Sequence, residues 1–313
     1  MQKLNSSHFL FNWFLIPLGL LMLVRSVGAP DATSNINQVV RYSQTVDFFD
    51  GPPQLIDVTG LRRPRVRARS AIVYNPETHQ VLWESNGFQP QAIASITKIM
   101  MALVFLDQEP QLNRDVVVSR RDVYRANTTY LRRGERITLY DLLHLALIAS
   151  DNAAARVLAR VSHYGTVGFV DQMNLKASEL GLESTSYADP SGLHEQNLST
   201  AYDLSRLIVH ATKKPVISTI LRKQVYVLNT SRRRLTVRNT NKLLRSSFLV
   251  HGGKTGYIDA AGYCFAAVVK LPDNGPLSVV VLGAGSNSRR FSETRALIEW
   301  VSKNSDALKA SDS

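Results

Sequence analysis

The chain has 313 residues, 44% of them hydrophobic and 20% charged, which suits one large or two modest globular domains and excludes a low-complexity polymer. Its 37 Lys and Arg against 25 Asp and Glu give a formal charge of +12; this calls for an anionic partner without saying which. The one cysteine, Cys264, excludes an internal disulfide, and its apolar setting from Gly262 to Val269 makes it a small core residue rather than a thiol catalyst.

Lys3 precedes an apolar run from Phe9 to Val24, and Val27 and Ala29 then stand at the −3 and −1 positions of a cleavage site. This pattern is a secretory signal peptide, residues 1–29. A retained anchor is the alternative, but the run falls short of the ~20 apolar residues that span a bilayer. Cleavage removes Lys3 and Arg25 and no acid, leaving about +10. In an exported chain, cell wall replaces nucleic acid as the natural anionic partner.

Residues 30–69 lack a sustained period and read as a surface-hugging leader, with a solvated basic run from Arg62 to Arg69. Ser70–Tyr74 and Gln80–Glu84 flank an Asn-Pro turn and predict a hairpin, with His79 exposed in the turn. Ser95 then opens the apolar run Ile99 to Leu106, a buried helix. Residues 107–136 are polar and Arg-rich, with a short strand at Val116–Val118. Thr138, with Asp141 three residues on, is a helix start, and the helix stops at Ser150-Asp151-Asn152 before a second one resumes. That polar triplet should face a cleft, or else be a plain N-cap serine with a structural asparagine.

A helix follows from Val170 to Leu180, closed by Gly181, and another opens at Thr200 and runs through Val209. Two short strands surround Thr230-Ser231-Arg232-Arg233-Arg234. Gly252–Tyr257, Gly262–Val269 and Leu277–Gly283 are strands, the last two joined by a turn at Pro272-Asp273-Asn274-Gly275. A closing helix covers about Phe291 to Val301, and 304–313 is a polar tail. The predicted organisation is α+β: one antiparallel sheet built from N- and C-terminal strands, flanked by helices, with a helical insert at about 107–220 inside a domain spanning 70–303.

Three short motifs occur in order: Ser95-x-x-Lys98, Ser150-x-Asn152 and Lys254-Thr255-Gly256. A serine and a lysine three apart on a helix share one face. At a helix start, free backbone N–H groups and the positive end of the dipole favour an anion. Together these make a nucleophile with a base beside it and an oxyanion site around it.

Each motif is weak alone, but in conjunction they resemble the serine D-alanyl-D-alanine peptidases of the penicillin-binding group. The resemblance covers roughly Ser70 to Val301. It extends to Asp189-Pro190-Ser191-Gly192-Leu193, Ser199-Thr200-Ala201-x-Asp203-Leu204 and Asn239-Thr240-Asn241-x-Leu243-Leu244. It points to the β-lactamase/transpeptidase-like fold and to the short endopeptidase branch, the penicillin-binding protein seven type. Similar carboxypeptidases carry a further β-rich domain and a membrane-binding helix, for which too few residues follow Trp300.

The resemblance implies that Ser95 forms an acyl-enzyme with Lys98 as its base. A neutral lysine is required there, and both burial and a second cation lower its pKa; Lys254 supplies that cation. Ser150 bridges the two lysines and relays a proton to the leaving amine. Asn152 holds the substrate's amide carbonyl, and the backbone N–H groups of Ser95 and Tyr257 form the oxyanion hole. Gly252, Gly253 and Gly256 let the substrate backbone lie against their strand. Thr255 and Arg290 bind a substrate carboxylate, with Arg289 the neighbour that could be confused with Arg290 and a surface arginine the plain alternative.

No metal or cofactor is implied, since the seven histidines form no His-Glu-x-x-His pattern. His144, on an apolar helix face, reads as a core histidine. The partners implied are peptidoglycan peptide stems, with β-lactams as covalent inhibitors, in the periplasm, with loose membrane or wall association and no nucleic acid. A carboxypeptidase is the alternative. A class A β-lactamase is disfavoured because Glu195-Gln196-Asn197-Leu198 has the wrong order for the deacylating Glu-x-x-Leu-Asn loop. A non-catalytic wall-binding homologue is disfavoured because all three motifs are intact.

Overall fold

The computed structural model describes residues 53–272 and 275–310, all within one body, Asp47–Ser313. The signal segment, the leader before residue 53, Asp273 and Asn274 of the predicted turn, and residues 311–313 lie outside the described residues.

The chain enters through β1 (Gln54–Leu55) and the expected hairpin, β2 (Ser70–Asn75) with β3 (Gln80–Ser85). The Asn75 side chain accepts the Glu77 N–H at 2.9 Å, an Asx turn that closes the hairpin. His79 is not the exposed residue expected. The turn folds it back over β2, half-buried, with Nδ1 2.8 Å from the Tyr74 hydroxyl.

After β4 (Gln91–Ala92), a 3₁₀ turn at Ala94–Thr97 runs directly into α1 (Lys98–Leu106). This helix is apolar on all sides and every residue but Leu106 is buried, so it forms the centre of the helical layer. Next come β5 (Asp115–Val117), α2 (Arg120–Val123) and β6 (Arg136–Thr138). The single turn of α2 has no apolar period to announce it; a capping box between Ser119 and Asp122 makes it.

The α3 helix (Leu139–Ile148) starts at the expected cap, where Thr138 Oγ1 accepts the Asp141 N–H at 3.0 Å. The cap of α4 (Asn152–Val161) is Asp151, which accepts the Ala154 N–H at 2.9 Å; Ser150 is therefore not a capping serine. Then follow α5 (Gly165–Glu179), β7 (Leu198–Ser199) and α6 (Ala201–Lys213), the last capped by Thr200 as expected. The sequence reading missed α7 (Pro215–Arg222), which begins with a proline at its first position, where the absent N–H costs nothing.

The hairpin β8 (Val225–Asn229) and β9 (Arg234–Arg238) precedes three long strands, β10 (Leu249–Ile258), β11 (Gly262–Leu271) and β12 (Gly275–Ala284). The chain closes with α8 (Asn287–Lys303) and α9 (Ser305–Ala310). Ser286 caps α8, so it begins a turn before Phe291 and brings Arg290 into the helix. What read as the start of a polar tail is helical, and Leu308 is buried.

The large sheet has the order β1-β3-β2-β12-β11-β10. Its middle joins the two ends of the domain: β2 pairs antiparallel with β12, Ala71 opposite Val281. Alternate side chains serve two cores. Ala71, Val73, Val279 and Val281 pack with Leu297, Ile298 and Val301 of α8. Ile72, Val280 and Leu282 pack with the core of α1, α3 and α6. Burial on both faces explains why these strands read as unbroken apolar runs. The edge position of β10 places it against the 3₁₀ turn that carries Ser95.

Candidate active site

Four segments from three regions of the chain meet beside that turn. Lys98 is the first residue of α1 and fully buried, one helical turn from Ser95; its Nζ lies 2.9 Å from Ser95 Oγ. The same nitrogen lies 2.6 Å from Asn152 Oδ1 and 2.5 Å from the Ser191 carbonyl oxygen. These two oxygens can only accept. A neutral amine has two N–H bonds and one lone pair. With both N–H bonds given to Asn152 and Ser191, the lone pair is left for the Ser95 hydroxyl, which is the geometry of a general base.

Burial pushes Lys98 down to about 7, against the pull of the Asp189 and Asp151 carboxylates and with help from Arg156. Lys254, also fully buried, is held well below its ordinary range by burial first, then by Lys98 and Arg290. Burial thus lowers Lys98, with Arg156 as the cation that adds to it, in place of the Lys254 charge that the sequence reading invokes.

Lys254 lies on β10 and donates to Ser150 Oγ at 2.8 Å and to the Thr255 carbonyl at 2.9 Å. Ser150 sits at the corner between α3 and α4 with φ +61°. A residue held left-handed outside glycine is a cost the surrounding structure must impose, and here it turns the hydroxyl toward Lys254. Among the described residues Ser150 makes no hydrogen bond to Lys98, so the expected bridge is present on the Lys254 side alone. Asn152 gives its oxygen to Lys98 and one N–H to the Ala126 carbonyl at 2.7 Å. It retains one N–H, enough to hold a substrate carbonyl.

The strand and the nucleophile turn touch. A Cβ on Gly256 would stand 2.7 Å from the Ile93 carbonyl oxygen and 3.1 Å from the Ser95 nitrogen. Glycine alone permits this approach, which brings the backbone of β10 alongside the Ser95 N–H. Thr255 Oγ1 is 2.6 Å from Thr240 Oγ1, and the Tyr257 ring, 48% exposed, donates its hydroxyl to Asp259 at 2.8 Å. Arg290 is 6% exposed, which removes the surface-arginine reading, whereas Arg289 is exposed. Its guanidinium donates to the Gly256 carbonyl at 2.9 Å, the Cys264 carbonyl at 3.3 Å and Asn287 Oδ1 at 2.5 Å. Of its five N–H bonds two remain, including that of Nε. Burial lowers it to about 10, so it stays charged at neutral pH.

All nine expected site residues converge here, and Ser95, Ser150, Asn152, Thr255, Gly256, Tyr257 and Arg290 line one cleft of about 520 Å³, while the two lysines lie beneath it. The sequence reading missed Asp189. Its carboxylate accepts from the N–H groups of Ser191, Gly192 and His194 and from the side chains of Ser191 and Asn197. This fan holds the loop that offers the Ser191 carbonyl to Lys98 and presses Gly192 on the Ala94 carbonyl. The loop sequence stands out in the chain, but no spacing rule links a residue at 191 to one at 98. His144 is a core residue as read, stacked on Tyr226 with Nδ1 2.9 Å from the Tyr140 carbonyl, and Cys264 is buried with its thiol pushed up to about 11.

Comparison with known proteins places these motifs in a wider frame. A family model described as D-alanyl-D-alanine carboxypeptidase matches residues 57–286. A D-alanyl-D-alanine endopeptidase of Escherichia coli is 31% identical over 78% of this chain and 80% of its own length. One from Pseudomonas aeruginosa is 34% identical over 74% of this chain and 76% of its own. The crystal structure of a D-alanyl-D-alanine carboxypeptidase from Mycobacterium tuberculosis superimposes with a TM-score of 0.71 at 29% identity, covering 77% of this chain and 93% of that one.

Proposed function

The chain belongs to the D-alanyl-D-alanine carboxypeptidase family of serine peptidases, and from that membership we propose that its cleft cuts D-alanyl-diaminopimelate cross-links in peptidoglycan, as an endopeptidase. Serine DD-peptidase action on peptidoglycan follows from the family; the endopeptidase preference rests on the relatives that carry that name. The observation that carries the chemistry is the Lys98 nitrogen, 2.9 Å from Ser95 Oγ and held by two acceptors, so that a neutral amine there keeps its lone pair for Ser95.

In the reaction, Ser95 Oγ attacks the carbonyl carbon of the D-alanine whose amide joins the diaminopimelate, as Lys98 takes its proton. The oxyanion forms against the N–H groups of Ser95 and Tyr257. The carbon–nitrogen bond then breaks, and Ser150, held by Lys254, passes a proton to the departing amine. Water hydrolyses the Ser95 ester with Lys98 again as base. Arg290, with two N–H bonds free, and Thr255 take the carboxylate beside the cut bond. Asn152 offers its remaining N–H to the peptide. Burial lowers both lysines, Lys98 to about 7, so at neutral pH a neutral Lys98 is available as a base. Tyr257 forms an open wall of the cleft. An exported, periplasmic site of action completes the reading, in keeping with the signal-like segment at 1–29.

Digestion of purified cross-linked muropeptides, followed by mass spectrometry, tests it. Conversion of peptide dimers to monomers is expected, with pentapeptides trimmed more slowly. Trimming without cleavage of dimers moves the assignment to a carboxypeptidase. Fluorescent penicillin should leave a stable adduct on Ser95. Rapid turnover of the penicillin indicates a lactamase, and no adduct indicates a binder.

A further inference from the structure

Two arginine-rich segments a hundred residues apart in sequence come together on the helical side of the cleft. The Ser231 N–H donates to the Arg136 carbonyl at 2.9 Å, and the Arg136 N–H donates to Ser231 Oγ at 3.0 Å. Arg232 donates to the Arg133 carbonyl at 3.3 Å. Beneath them Glu135, fully buried, pairs with Arg233 at 2.7 Å, and Arg233 also donates to the Tyr130 carbonyl. That pair consumes the acid lying within these two segments. Arg132, Arg133, Arg136, Arg232 and Arg234 are left exposed, and among the described residues none of the five takes part in an ion pair.

Like charges repel, so five unpaired guanidinium groups gathered by specific backbone bonds is not what stability alone selects. The patch is also joined to the cleft. The loop that carries it continues back through Tyr130 and Thr129, both bonded to Asp151 at 2.6 and 3.0 Å, to Thr128 and Asn127 in the cleft wall.

We propose that this patch is a second binding surface for the peptidoglycan itself, taking the free carboxylates of stem peptides beyond the cross-link being cut. The inference rests on the function proposed above. The match is chemical. The peptide stems carry the free carboxylates of the polymer, and guanidinium groups pair with carboxylates as planar forks. Exposed contacts of this kind act by number and fall away with salt, because the Debye length is about 8 Å at physiological ionic strength. The surface therefore holds the enzyme on an insoluble, multiply charged substrate and adds little to the handling of a small one.

The test uses the full chain with Arg132, Arg133, Arg136 and Arg234 changed to Gln. Their side chains make no hydrogen bond within the described residues, and Arg232 and Arg233 are left to hold the loop. Sedimentation with purified sacculi should show binding weakened about tenfold, with the wild type losing the same margin in high salt. Acylation by fluorescent penicillin, which needs the cleft alone, should stay within about twofold in the variant, and this also reports that it has folded. Sacculi whose carboxylates have been amidated should bind both proteins equally weakly. Unchanged binding by the variant overturns the proposal, as does binding that survives amidation. Capture by vesicles of anionic phospholipid, stronger than by sacculi and lost in the variant, overturns it in favour of a membrane surface. Failure of the wild type to acylate refutes the enzymatic reading instead.

Discussion

Gly192 gives the most direct test of how the nucleophile is held. Its φ is +81°, and a Cβ there would lie 2.1 Å from the Ala94 carbonyl oxygen, 2.4 Å from its carbon and 2.9 Å from the Ser95 nitrogen. None of these atoms belongs to a flexible side chain. In Gly192→Ala the turn carrying Ser95 must retreat by about 1 Å, and a displacement of ~1 Å at a reacting group costs on the order of 100-fold in rate. That is roughly 2.7 kcal/mol on the barrier. The left-handed backbone adds ~1–2 kcal/mol of strain to the folded state.

Gly181→Ala separates the two effects. Its φ is +60°, but a Cβ there meets the Arg206 guanidinium at 3.3 Å, the end of a flexible chain. Both variants should melt a few degrees below wild type. Only Gly192→Ala should lose acylation, measured as the second-order rate with fluorescent penicillin under conditions where each protein is folded. Equal acylation by the two variants would show that the loop at 189–197 does not position Ser95, and the argument for Asp189 would fail with it.

Ser95→Ala should form no penicillin adduct and release no monomers from cross-linked fragments; an adduct on that variant refutes the nucleophile. Lys98→Ala should lose at least ~100-fold in acylation, the scale of general-base catalysis. Since burial lowers Lys98 to about 7 and the neutral amine is the working form, the rate should climb with pH, reach half its plateau near 7, and level off above; a midpoint near 10 would contradict the buried geometry. Arg290→Lys keeps a charge but loses the fork, and should raise KM about tenfold for carboxylate-ended peptides while sparing amidated ones; equal effects on both would leave Arg290 a purely structural tie to Gly256. His144 is held at about 4 by burial, below the 6.5 of a free imidazole, so protons bind the unfolded chain first. Stability present above about pH 6.5 is therefore lost as pH falls toward 4, and His144→Phe should flatten that part of the melting curve; an unaltered curve would mean that other groups control it.

Local signals carried most of the architecture into the sequence. The hairpin at 70–85, the Thr138 and Thr200 caps and the three long strands each owe their form to neighbours within a few residues, so they could be read. Elements made by a single capping interaction or a first-position proline, α2 and α7, have no period to read. The site was legible as three motifs because helix and strand geometry fixes which residues share a face. Its energetics were not. The Ser191 carbonyl, the Asp189 fan and the left-handed Ser150 all depend on contacts between segments tens of residues apart. The expected bridge through Ser150 is present on its Lys254 side alone, because which lysine the hydroxyl meets is set by a corner that no spacing describes.

The pairing of β2 with β12 has a consequence for how the protein comes to life. Residue 71 cannot find residue 281 until nearly the whole polypeptide has been made. A topology dominated by such distant pairings folds late and slowly. Until that closure, Lys98 and Lys254 are ordinary solvated cations, with no lone pair free to take a proton. A nascent or truncated chain is therefore inert, and the capacity to cut the wall arrives in one step with the finished sheet.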